Sequence, residues 1–449
     1  MSERKLPKGW VDTQLGKIVN YGKANKQILS DVHPDTWVLE LEDIEKNSSK
    51  LLNQVRVTDR PFKSTKNSFK NGDVLYGKLR PYLNKVIVAK EDGVCTTEII
   101  PINAEPFCFN KYIFYWLKNS IFLSYVDEVS YGVNMPRLGT TDGLNAPFRL
   151  APLAEQKIIA EKLDTLLAQV DSARARLEKI PQILKRFRQA VLAASVSGKL
   201  TEDWRGQVKL INWKNGILKE FIKKPTYGTS AKSQKEGLIP VLRMGNLQGG
   251  SLDWTDLAYT SDPVEIKKYK LEPKDILFNR TNSPELVGKT SIYNSENPAI
   301  YAGYLIRIQC LPELNPEFLN YHLNSHLAKQ YCYSVKTDGV SQSNINAQKL
   351  AAYPLNVPPL IEQLEIVRRV EQLFAYANAI EKQVNNALSR VNNLTLSILA
   401  KAFRGELTVQ WREENPELIS GENSAAVLLE NIKAERAASG RKRVLRKKT

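Results

Sequence analysis

The chain is poor in the residues that usually carry single-site chemistry. Its 449 residues include four cysteines, three histidines and three methionines. Cys95, Cys108, Cys310 and Cys332 form no CxxC pair and no dense framework. That excludes a disulfide scaffold and fits a reducing, cytoplasmic setting. No run of about 18 apolar residues occurs, so no membrane span is expected. The first ten residues, MSERKLPKGW, carry charge but no apolar stretch, unlike a signal peptide.

Catalytic motifs are missing as well. An amino-methyltransferase loop of the [N/D]PP[Y/F] type is approached only by Asn356-Val357-Pro358-Pro359-Leu360, which has an extra residue and no aromatic. Those prolines suit the entry to a helix. The stretch from Ser283 to Gly288-Lys289-Thr290 lacks the first glycine of a phosphate-cradling loop. His322 and His326 stand four apart on a predicted helix, but no third ligand is evident, so no metal site is expected. By elimination the chain reads as a binding scaffold. Its net charge of +16 permits a polyanionic partner, although the excess is spread along the chain.

What the sequence does have is a repeat. Pro152-Leu153-Ala154-Glu155-Gln156 matches Pro359-Leu360-Ile361-Glu362-Gln363. Gly198-Lys199-Leu200-Thr201 with Trp204-Arg205 matches Gly405-Glu406-Leu407-Thr408 with Trp411-Arg412, at the same offset of 207. Between these markers, apolar residues recur at spacings of 4 and 3. Leu163, Leu166, Val170, Leu177 and Leu184 lie on this stripe in the first copy. Val370, Leu373, Val384, Val391 and Leu394 lie on it in the second. Such heptads predict two long helices with a coiled-coil seam. Gly198 and Gly405 suit left-handed C-terminal positions, and Pro181 predicts a bend in the first helix only. Upstream, Lys8-Gly9-Trp10 resembles Ile211-Asn212-Trp213, and Gly72–Tyr76 resembles Lys274–Phe278. Short strand signals alternate with turns, with helices expected near Lys111–Ser120 and Pro316–Ser325. The fold class is therefore α+β: two copies of a module of about 150 residues followed by a long helix. Tandem copies can fold about a pseudo-two-fold axis. Connectivity alone leaves open whether the helices run parallel or antiparallel.

Two polar loops recur in both modules. The first follows an Asp-Val-Leu-Tyr strand and contains Lys78, Arg80, Tyr82, Asn84 and Lys85; its counterpart contains Arg280, Thr281 and Asn282. The second contains Asn134 and Arg137, and its counterpart Gln342 and Asn344. Lysine and arginine suit phosphates and guanine edges, and amides suit adenine. These twelve residues are the candidate DNA contacts.

On these residues the chain resembles the specificity (S) subunits of Type I restriction-modification enzymes, in particular the enterobacterial subgroup. The resemblance rests on PLAEQ and PLIEQ, the heptad helices, the duplicated GxLTxxWR, and strings such as GDVLYGKLRPYLNK and VSQSNINAQKL. It covers nearly the whole chain. It implies target-recognition domains at 1–151 and 206–357, conserved helical regions at 152–205 and 358–412, and a C-terminal stretch with a basic tail at 413–449. It further implies an antiparallel coiled coil acting as a ruler, and one half of a bipartite DNA target read by each domain. Half-sites on one face of B-DNA lie about 34 Å apart, which favours the antiparallel option. The S subunit is expected to have no catalytic activity and no cofactor of its own. Two methyltransferase (M) subunits would bring S-adenosylmethionine, and two restriction (R) subunits ATP and magnesium. Arg174, Arg176, Lys185, Arg186 and Arg188 are candidate M contacts. A protein-only coiled-coil adaptor is the alternative; a self-sufficient restriction enzyme would need motifs that are missing. The last nine residues hold six Lys/Arg and read as a solvated tail.

Overall fold

The computed structural model describes residues 6–132, 134–206 and 213–446, with side chains described as far as residue 438. Val133, Ile211, Asn212 and the side chains of the last nine residues lie outside the described residues. The chain folds into two compact units. One contains residues 1–177 and 387–449; the other contains residues 178–386. Each unit therefore takes part of both helical regions.

The first unit is built on short strands. Val74–Gly77 is the central strand of a three-stranded antiparallel sheet, between Val86–Val88 and Ile99–Ile102. Val74–Gly77 has every residue buried, which its continuous apolar run requires. A five-stranded sheet interleaves with it in chain order and includes one parallel pair, Trp37–Leu39 with Gly93–Cys95. Val11–Gln14 pairs with Pro147–Leu150 and so joins the start of the module to its end. The expected helix appears as Asn110–Trp116.

The second unit repeats this plan. Ile276–Asn279 lies between Thr290–Ile292 and Leu305–Ile308. Lys214–Ile217 pairs with Pro354–Val357, and the helix Pro316–Leu323 corresponds to Asn110–Trp116. That helix ends before His326, which opens a separate helix, His326–Val335. The two histidines therefore do not share a helical face: His322 is buried and His326 is exposed.

The two long helices span Leu153–Val196 and Leu360–Phe403, 44 residues each. At 1.5 Å per residue each is about 66 Å long. Pro181 sits exposed in a helix that continues through it. Gly198 and Gly405 adopt left-handed φ values of 76° and 73°, a conformation glycine accepts without a Cβ clash.

The helices pair antiparallel, as each unit shows separately. In the first unit Ile159 and Leu163, near the start of one helix, share a core with Leu399, Ala402 and Phe403, at the end of the other. Phe403 meets Trp116 edge-on at 5.0 Å and Tyr112 at 5.2 Å. In the second unit Val191 shares a core with Ile366 and Val370. Of the expected seam, Leu163, Val170, Leu184, Val370 and Val384 are buried, while Leu166, Leu177, Leu373 and Val391 are half-buried. Leu394 departs from the expectation, with 45% of its surface exposed. Here the inward stripe passes through Thr395 and Ile398 instead. A 3.6-residue helix drifts against a strict 3.5-residue repeat, and the stripe has advanced by one position.

Candidate nucleic-acid interface

The repeated sequence markers form a buried clasp, once in each unit. In the first unit the Glu155 carboxylate accepts from Trp10 Nε1 at 2.7 Å, Thr408 Oγ1 at 2.6 Å and Arg412 Nη1 at 2.5 Å. Arg412 Nη2 also donates to Gly405 O at 2.7 Å. In the second unit Glu362 accepts from Trp213 Nε1 at 3.0 Å, Thr201 Oγ1 at 2.7 Å and Arg205. Arg205 Nη2 donates to Gly198 O at 2.6 Å. Each clasp ties the start of a module, the start of one helix and the turn after the other helix. A fully engaged buried carboxylate fits an architectural role, because its lone pairs are already occupied. The glutamines beside these glutamates act similarly: Gln156 accepts from Phe109 N and Gln363 from Asn315 N. These motifs hold the modules in place and leave surface chemistry to the loops.

In the first unit the two polar loops meet. Arg80 N donates to Pro136 O at 2.7 Å, Leu138 N donates to Lys78 O at 3.0 Å, and Leu79 bridges to Arg137. Arg80 and Asn84 both have left-handed backbones, at φ 50° and 45°, around the turn Pro81–Leu83. The turn leaves Arg80, Tyr82 and Asn134 exposed. The Arg80 guanidinium pairs with none of the described residues. Lys78 is half-buried. Three candidates point elsewhere. Asn84 is buried, with Oδ1 unpartnered. Lys85 Nζ donates to Leu41 O at 2.7 Å. Arg137 is held by Glu98 at 3.2 Å. Tyr131, in the same loop, is exposed beside Arg137.

The second unit brings its loops together as a small antiparallel ribbon. Thr281–Asn282 pairs with Ser343–Asn344, which pairs with Thr337–Asp338. Asn344 Nδ2 donates to Thr281 Oγ1 at 2.7 Å, and Gln342 is exposed at the turn. The Asn282 side chain caps Ser283 N at 2.8 Å. Arg280 lies over the Tyr227 ring at 4.7 Å, and its Nε is buried without a partner. Tyr227 is 42% exposed, and Tyr304, whose carbonyl accepts from Arg280 N at 3.0 Å, is 53% exposed. No loop pattern announced them, since Tyr227 comes from a strand more than 50 residues upstream of Arg280. Arginine stacked on an exposed tyrosine is pre-oriented for a planar or anionic ligand.

The helical arginines divide into two sets. Arg188 is bound to Glu381 at 2.7 Å and to Asn378 at 2.8 Å, inside the helix pair. Arg174 lies 3.4 Å from Asp171. Arg176, Lys185 and Arg186 are exposed. Beside Arg174, a cavity of about 760 Å³ in the first unit is lined by Asn84, Lys118 and Leu399 among others. Lys118 Nζ donates to Ser49 Oγ at 2.8 Å and lies over the Phe114 ring, and burial lowers its pKa to about 8.

The described residues contain no group of three or more potential metal ligands. His322 is buried against Tyr353 OH at 3.0 Å, and desolvation lowers its pKa to about 4. All four cysteines are free, and burial raises their thiol pKa values, to about 11 for Cys332. Among the described residues, no helix is long and apolar enough to cross a membrane.

Residues 7–182 and 211–390 match the family described as Type I restriction modification DNA specificity domain. The chain is 46% identical over 361 residues to the Type I restriction enzyme EcoKI specificity subunit of Escherichia coli strain K12. That match covers 78% of this chain and 76% of the relative. It is 42% identical to the EcoDI specificity subunit of Escherichia coli, with 100% of both chains covered. Among solved structures, a chain from a study of complex assembly and conformational transition of the type I R-M system superposes with a TM-score of 0.71 at 19% identity. It covers 90% of this chain and 99% of that one. The HsdS subunit from Thermoanaerobacter tengcongensis gives 0.61 at 20% identity, with the same coverage. At these identities the two structures share the fold.

Proposed function

The chain belongs to the Type I restriction-modification specificity subunits, and from that premise we propose that it is the non-catalytic part that reads a bipartite DNA target. Each module reads one half-site. The observation that carries this reading is the duplicated pairing of two polar loops, distant in sequence, around an arginine and exposed tyrosines. Phosphate contacts would fix the register, and contacts to base edges would read sequence. The paired helices set the length of the unread spacer. Two M subunits bind this chain, carry S-adenosylmethionine and methylate adenine at N6, which requires room to flip the base. Two R subunits add ATP- and magnesium-dependent translocation and cleavage. The complex works on cytoplasmic DNA, and the chain itself holds no cofactor.

Mapping N6-methyladenine in DNA from cells carrying the system reads the target directly. A two-part motif with a constant spacer is the expected result. Exchanging residues 1–151 for the first module of a relative should change one half of that motif. A change in both halves, or no sequence-specific footprint from the M–S complex, would favour the protein-only adaptor.

A further inference from the structure

The first unit buries positive charge that its fold does not require. The cavity of about 760 Å³ opens between the first module and the two long helices, all within that unit. Lys46, Lys118 and Arg174 line it, together with two carboxylates. Asp164 is already engaged by Lys111 Nζ at 2.6 Å and Tyr115 OH at 2.5 Å. Asp171 lies 3.4 Å from Arg174, and its charge also reaches Lys118. Lys118 is only 9% exposed, and among the described residues its Nζ bonds to Ser49 Oγ alone. Arg174 Nε is buried without a partner. A desolvated cation with no hydrogen-bonded counter-charge costs stability, so its presence asks for a ligand.

The repeat shows that the fold is built without these cations. Phe109 and Asn315 are equivalent, since each donates its backbone N–H to the glutamine at the start of a long helix. Asn119 and Ser325 are equivalent too, each capping the helix that follows. Lys118 therefore corresponds to Asn324, a neutral side chain that donates to Thr290 O and Asn320 O. At the offset of 207, Arg174 corresponds to Glu381, which pairs with Arg188. The first unit's cavity is unusual in its backbone as well. Three of the five described non-glycine residues with left-handed φ line it: Asn47 at 62°, Ser49 at 60° and Asn84 at 45°. Such strain clusters where ligands are held. Ser48 N and Ser49 N have no acceptor among the described residues. Asn84 is 8% exposed, and its Oδ1 has no donor.

We propose that this cavity binds a nucleotide. Its phosphate meets Lys118, Arg174 and the free backbone N–H groups of the turn 46–49, a set of donors suited to an anion. The Asn84 amide oxygen accepts from a hydroxyl or amino group of the same ligand. Leu123, Leu167 and Leu399 give the base an apolar wall. The volume lies within the range of ligand pockets, about 300–1,000 Å³. The site is joined to one of the polar loops. Asn47 N donates to Leu83 O at 3.0 Å, and Leu83 ends the turn that leaves Arg80 and Tyr82 exposed. An occupied cavity would stiffen that turn. The first module would thus answer to a small molecule, and the second, with Asn324 and Glu381 at the equivalent positions, would not.

The test is calorimetry on the full-length chain with AMP, adenosine and inorganic phosphate as probes. AMP should bind, and adenosine should bind about tenfold or more weakly, the scale of one hydrogen bond to a charged group. Inorganic phosphate should compete with AMP. Lys118→Met should weaken AMP by a similar factor and leave adenosine unchanged, with thermal unfolding as the check that it folds. Arg174→Gln should act in the same direction, and it serves if the first variant folds poorly. On AMP binding, hydrogen exchange should slow around 45–50 and 80–85. No AMP binding at millimolar concentration, equal affinity for AMP and adenosine, or undiminished AMP affinity in both variants would overturn the inference. So would a DNA duplex without the target that binds through Lys118 while AMP does not, because the phosphate would then belong to the DNA backbone.

Discussion

Replacing Glu362 by alanine tests whether the clasp holds its unit together. The carboxylate is only 4% exposed and its partner Arg205 only 9%. Without Glu362, Arg205 keeps the Gly198 carbonyl and the Thr201 hydroxyl but no counter-charge. Trp213 Nε1 loses its acceptor. Breaking a buried pair on one side costs about 3–5 kcal/mol, since the remaining charge stays desolvated. At about 1.4 kcal/mol per factor of ten, that makes local opening roughly 100 to 3,000 times more frequent. Hydrogen exchange followed by peptide mass spectrometry reads the two units separately. Protection should fall around 198–205 and 213–222, and stay nearly unchanged around 10–20 and 405–412. Glu155→Ala should give the mirror result. Glu362→Gln should cost less, because an amide oxygen still accepts. A loss below about 1 kcal/mol for the alanine variant, or equal loss in both units, would refute the clasp as the fastening of each unit.

Arg280→Ala should weaken target binding by about 1–3 kcal/mol and relax one position of the half-site if it reads a base edge. A uniform loss across sequences with a shallower salt dependence would identify a phosphate contact instead. Lys118 has a folded pKa of about 8 against an ordinary 10.5, so the unfolded chain binds more protons between those values. Its contribution therefore makes stability rise with pH over that interval, by on the order of 3 kcal/mol. Lys118→Met should stabilise the first unit at pH 7 and flatten that rise, as urea unfolding at pH 7.5 and 9.5 would show. Inserting one heptad into both long helices should lengthen the methylated motif's spacer or abolish assembly; unchanged spacing would count against the ruler.

Much of this architecture was legible because a repeat supplies its own comparison. The constant offset of 207, the 4–3 spacing and the two glycines located both helices and their ends. The strands were found where apolar runs are continuous, as at Val74–Gly77. Direction of helix pairing was not legible from connectivity; it became visible through contacts such as Lys162 Nζ to Leu407 O and Arg369 Nη1 to Leu200 O. The clasp was present in the sequence only as repeated letters, since Glu155 and Arg412 meet through tertiary structure. The polar loops were identified, but not the fate of each side chain. Asn84 turned inward because its left-handed backbone closes the turn, and Arg137 found Glu98 across the fold. Tyr227 escaped notice for the opposite reason: nothing local distinguishes a strand tyrosine that another loop's arginine covers.

The two clasps differ in when they can close during synthesis. Glu362 joins Thr201, Arg205 and Trp213, all made before it, so the second unit's clasp can form as soon as residue 362 has emerged. Glu155 must wait for Arg412, 257 residues later. At about 5–20 residues per second, the nascent first module stands open for roughly 13–50 s. The module begun first is therefore finished last, and its exposed Trp10 edge is where chaperones or misassembly would act on the growing chain.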